Sequence, residues 1–138
     1  MRMRLRISCA ALIVCVFACG GKSVAERIAE HDRVRVSWEQ TTRFVGTEWV
    51  GRAIPDAYAT RTLMRAGEEL RSEGETLRKD ELPDRDRARL GDSLDAARAL
   101  ADTLERAVRA GDRDAVTQLV NDAPRTNADS LLRQDALR

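Results

Sequence analysis

Apolar residues recur through the second half of this chain at helical spacing. Leu90, Leu94, Ala97, Ala101, Leu104 and Val108 follow one another by four, three, four, three and four positions. At about 3.6 residues per turn, these positions fall on one stripe of a helix, the kind of seam that packs antiparallel against a neighbour. Asp84 is placed to cap that helix and Gly111 to end it. Upstream, Ala59, Leu63, Ala66, Leu70 and Leu77 line one face of a helix expected from about Pro55 to Arg78. Pro55 is compatible with a helix start, and Gly67 and Gly74 weaken the helix by ~1 kcal/mol each relative to Ala. An earlier helix should open at Ser23, because Glu26 three residues on completes a capping box. Its face, Val24, Ile28, His31, Arg35, Trp38, Thr42 and Val45, is interrupted by polar residues. The run Val34 to Trp38 alternates like a strand, but no second strand is available to pair with it. Gly46 and Gly51 predict a loosened segment before Pro55. Asp112 or Asp114 opens a last helix carrying Val116, Leu119, Val120 and Ala123, up to Pro124. The pattern therefore predicts an all-α fold, a small antiparallel bundle of three to four helices over residues 24–125. Residues 126–138, with Leu131, Leu132, Ala136 and Leu137, form a tail or a short helix.

The first residues read differently. Arg2, Arg4 and Arg6 precede an uncharged, mostly apolar run from Ile7 to Ala18. Twelve helical residues span about 18 Å, too short to settle across a hydrocarbon core of about 30 Å. Basic residues before a short apolar core are the layout of an export signal. Val16-Phe17-Ala18-Cys19 then resembles a bacterial lipobox, with an aliphatic residue at −3, a small one at −1 and the cysteine. Phe17 at −2 is larger than is usual there. Cys9 has almost no apolar run before it, and Cys15 follows the bulky Val14. The resemblance to lipoprotein precursors implies that residues 1–18 are a cleaved signal peptide. It implies further that Cys19 receives a diacylglyceryl group, that signal peptidase II cuts before Cys19, and that the new amino group is acylated. The alternatives are an ordinary secretory signal with Ala18 in its cleavage site, and an uncleaved anchor. Membrane lipid, reached through acylated Cys19, is then the first partner. Gly20, not Asp, follows the cysteine, which resembles an outer-membrane sorting context facing the periplasm in a host with two membranes. Residues 19–23 form the lipidated cysteine and a short tether.

Composition narrows the picture. Loss of residues 1–18 leaves 120 of the 138 residues, enough for one helical core. All three cysteines are Cys9, Cys15 and Cys19, so no disulfide is expected in the exported part. The leader takes three of the 24 basic residues and none of the 23 acidic ones, so the rest carries a net charge of −2. Its charges are interspersed, and no basic face points to a nucleic-acid partner.

The search for chemistry yields few candidates. His31 is the one histidine, and no thiol follows Cys19, so neither a metal nor a covalent haem site is expected. Ser37, Ser72, Ser93 and Ser130 lack a nucleophile elbow and any downstream histidine. There is no phosphate-binding glycine loop. The expectation is a non-catalytic protein without a cofactor, binding or scaffolding an envelope protein or peptidoglycan. The alternative is a bundle holding a haem or small apolar molecule near His31 and Trp38. Trp38, Phe44, Trp49 and Tyr58 fall within twenty-one residues. They serve either as core anchors or, for Trp49 and Phe44, as a surface for a partner or lipid headgroups.

Overall fold

The computed structural model describes residues 21–122. They form four helices, α1 (Val24–Val50), α2 (Asp56–Lys79), α3 (Asp84–Arg109) and α4 (Arg113–Asp122). No strand occurs among the described residues, so the fold is the small all-α antiparallel bundle that the apolar spacing predicts. The leader, Cys19, Ala123 and the tail lie outside the described residues.

The capping box forms as expected. Glu26 N–H donates to Ser23 Oγ at 3.2 Å, and Ser23 N–H donates to Glu26 Oε2 at 2.7 Å. These bonds satisfy donors that the first helical turn cannot. Helix α1 then runs without interruption through Gly46, so the loosened segment expected there is absent. The reason is packing: a Cβ on Gly46 would lie 2.8 Å from Val120 Cγ2 of α4 and 3.7 Å from Leu104 of α3. The missing side chain lets three helices approach. Helix α1 stops at Gly51, where Arg52 N–H donates to Trp49 O and Ala53 N–H to Glu48 O. This is a Schellman closure, and its left-handed position is taken by Arg52, at φ 60°.

Helices α2 and α3 follow the predicted stripes. Ala59, Leu63, Ala66, Leu70 and Leu77 are buried in α2, and all six seam residues are buried in α3. The cap of α3 differs from expectation. Pro83 holds the N-cap position, and Asp84 is the first helical residue, paired with Arg87 at 3.1 Å. Proline pre-sets the extended entry, and the short link from α2 leaves Asp84 already inside the helix. At the other end, Gly111 at φ 70° closes α3 in the same Schellman pattern, with Asp112 N–H bonded to Ala107 O. Asp112 Oδ1 accepts from Ala115 N–H at 2.9 Å and so starts α4.

The core divides in two. An upper cluster, at the end bearing α4, joins Val45, Trp49, Ala59, Leu63, Leu104, Val108 and Val116. A lower cluster, at the end where α1 begins, joins Leu70, Leu77, Leu82, Leu90, Leu94 and Ala97, with Ile28 and Trp38 packed against it. Thr42, Ala66 and Ala101, all fully buried, belong to neither cluster. Helix α4 packs on α1 and α3.

Candidate functional site

The most concentrated polar geometry lies at the lower end, around His31. The His31 side chain is 7% exposed. Its Nδ1 lies 2.6 Å from Glu73 Oε1 and its Nε2 lies 3.1 Å from Asp80 Oδ2. One helical turn earlier on α1, Arg27 Nη1 donates to Asp80 Oδ1 at 2.8 Å. Glu73 sits in the last turns of α2 and Asp80 caps its end, so α1 is tied to α2 through two carboxylates. Burial pushes the imidazole toward neutrality, but the hydrogen bonds and charges of Glu73 and Asp80 outweigh it and hold the His31 pKa above its ordinary value. The same bond to His31, helped by Arg27, holds the Asp80 carboxyl below the usual carboxylate range.

Both ring nitrogens are thus engaged, and in this arrangement neither is left to ligate a haem iron. Trp38, two turns along α1, packs half-buried against the lower cluster. His31 and Trp38 lie on one side of α1 as the spacing predicted, but they serve contacts between helices. Further along the helix Arg35 donates to Glu39 at 2.7 Å, and Arg43 donates to Glu39 at 2.9 Å. The buried Glu39 is bracketed by cations one turn away on each side.

The upper end is built on Trp49. Of the two roles open to Trp49, the structure gives the core anchor and not the surface contact: it is 1% exposed and sits in the last turn of α1. Because α1 continues to Val50, Trp49 shares the inward face with Thr42 and Val45. Its Nε1–H donates to Asp56 Oδ1 at 2.7 Å, and the Arg113 guanidinium lies 4.5 Å from the ring centroid. Arg113 Nη1 also donates to Trp49 O at 2.6 Å and to Val50 O at 3.1 Å. One α4 side chain therefore caps the carboxyl end of α1 and stacks on its tryptophan. Phe44 faces outward, 63% exposed, as does Tyr58 at 56%.

A surface cleft of about 390 Å³ runs between α2 and α3, with Met64, Gly67 and Arg71 on one wall and Arg98, Asp102 and Arg109 on the other. Gly67 lets the Asp102 carboxylate approach closely, at 2.7 Å from where a Cβ would lie. The cleft has charges of both signs and one exposed thioether. The sequence did not single it out, since its residues read as two separate solvated helix faces. Among the described residues no group of three or more His, Cys, Asp or Glu side chains is placed to hold a metal ion. No described helix is long and apolar enough to cross a membrane. No protein family, curated protein or solved structure matches the chain.

Proposed function

We propose that this is a lipid-anchored bacterial envelope protein whose helical body acts without catalysis, by binding or scaffolding another envelope component. The observation that carries the reading is the abrupt start of the body. Helix α1, closed by the Ser23–Glu26 box, begins at Val24, five positions after the cysteine of the lipobox-like sequence. Gly20 to Ser23 reach about 14 Å at most, so acyl chains on Cys19 would hold the bundle against the headgroups. One chain anchors only marginally, whereas two or three on one cysteine anchor stably. The lower end would then face the bilayer. Phe44, Tyr58 and the α2–α3 cleft are the surfaces available to an envelope protein or to peptidoglycan.

Photo-crosslinking in cells tests the binding role. A crosslinker replacing Phe44 or Met64 in the Cys19-bearing protein should give discrete adducts with one envelope component. The Cys19→Ala protein should lose them. Adducts absent from both sites, with the protein intact in the membrane fraction, would contradict a scaffold acting through these surfaces.

A further inference from the structure

The geometry around His31 has a consequence beyond anchoring. A neutral imidazole carries one N–H, whereas an imidazolium carries two. Here both ring nitrogens face carboxylate oxygens, at 2.6 Å and 3.1 Å. Only the protonated ring donates to both. In the neutral ring, one nitrogen lone pair would point at a carboxylate within hydrogen-bond distance, an unfavourable contact for a side chain that is 7% exposed. The charged groups around the ring come from two elements. On α1, Arg27 precedes it by one turn and Arg35 follows by one turn, the latter paired with Asp32 and Glu39. At the end of α2 stand Glu73 and Asp80. From α3, Leu90 and Leu94 enter the neighbouring core, and Arg87 donates to the Leu82 carbonyl. Asp80 also pairs with Arg27, whereas no second cation is bonded to Glu73 among the described residues, so loss of the imidazole proton falls hardest on Glu73.

We propose that the lower end of the bundle is a proton-operated latch: protonated His31 fastens the first turns of α1 to the end of α2, and loss of that proton frees them, uncovering the apolar surface of Ile28, Leu77 and Leu82. The sign follows from linkage. A histidine bound more tightly to its proton in the closed state stabilises closure fully below the ordinary imidazole pKa of 6.5. That contribution is lost as pH rises through the higher closed-state value. Asp80 acts in the opposite direction: its contribution is present above the ordinary carboxyl value of 3.8 and is lost as pH falls through its depressed one. The latch is therefore tightest in mildly acidic conditions. Its upper limit is set by His31. The other end, closed by Trp49 and Arg113, contains no histidine and provides an internal reference.

Because His31 is the one histidine, selective ¹⁵N-histidine labelling of the full chain, extracted in detergent and purified without a histidine tag, gives a single imidazole signal. It is titrated from about pH 5 to about pH 8, alongside amide exchange corrected for intrinsic base catalysis. The imidazole should titrate above its ordinary value. Opening of residues 24–31 should increase through that titration, by about tenfold for each unit of pKa elevation measured. Exchange around Trp49 and Val116 should not change. Glu73→Gln should lower the His31 pKa and shrink the effect, and His31→Gln should abolish the pH dependence. Titration at or below the ordinary value, or a constant ratio of protection between the two ends in the wild-type protein, would overturn the latch.

Discussion

At the upper end, Trp49 is buried among Leu63, Leu104 and Val116, hydrogen-bonded to Asp56 and stacked under Arg113. At the lower end, His31 is almost as deeply buried but is held by Glu73 and Asp80, and α4 packs on the upper cluster, not on this one. Both ends bury a ring of α1 against its neighbours. The upper ring is closed by an arginine and apolar contact, and the lower one by an imidazole whose pKa its carboxylate partners raise above the ordinary value. Stability in a bundle is therefore not one property spread evenly along its length: the two ends should answer differently to the same change of conditions.

The largest effect should come from the upper core. Leu104 is fully buried, and Leu104→Ala should cost about 2–5 kcal/mol in urea unfolding followed by tryptophan fluorescence. The loss should be the same on both sides of the His31 titration, since no group that titrates there touches this cluster; a loss that varied with pH would mean that the ends are coupled. Next, Arg113→Met removes the donor to the last α1 carbonyls and the charge over Trp49. It should cost about 1–3 kcal/mol and raise amide exchange in α4 and at residues 49–53 first.

Two pairs of substitutions sharpen the contrast further. The C-terminal closures of α1 and α3 share one geometry, with Arg52 at φ 60° in one and Gly111 at φ 70° in the other. Arg52→Gly should stabilise the protein and Gly111→Ala should destabilise it, each by about 1 kcal/mol, read as opposite shifts in the urea midpoint. The helical glycines differ in the same way. Gly74→Ala meets open space and should add about 1 kcal/mol of helix propensity. Gly46→Ala has the same intrinsic gain but must displace Val120, so it should loosen α4 and give a net loss. If both proved stabilising, the close approach at the upper end would be wrong.

Which parts were legible follows from where each residue finds its partners. The α3 seam could be read because every one of its positions is apolar and buried, so period and burial coincide. The Ser23–Glu26 box is a local motif and forms as read. Helix α1 was harder, because its buried face includes His31, Thr42 and Glu39. Glu39 is explained by Arg35 and Arg43, four residues away on each side, a signal present in the chain. The partners of His31 are 42 and 49 residues away, and no local pattern announces them. Gly46 read as a breaker because propensity alone says so, whereas here it is the contact point of three helices. The role of Trp49 stayed open between core and surface for the same reason: a loosened segment was expected where the helix continues. Leu82 lies in the link between α2 and α3, outside any periodic stripe, yet it is buried.

The proposed placement of the bundle at a membrane depends on the thiol at Cys19. Intact-mass analysis of the protein extracted from membranes, as wild type and as Cys19→Ala, tests it most directly. The wild-type chain should begin at Cys19 and carry the mass of a diacylglyceryl group, with or without a further acyl chain, while the variant should retain its leader or leave the membrane fraction. A wild-type chain that carries no acyl mass and is trimmed elsewhere would contradict the anchor and the placement of the bundle at the bilayer.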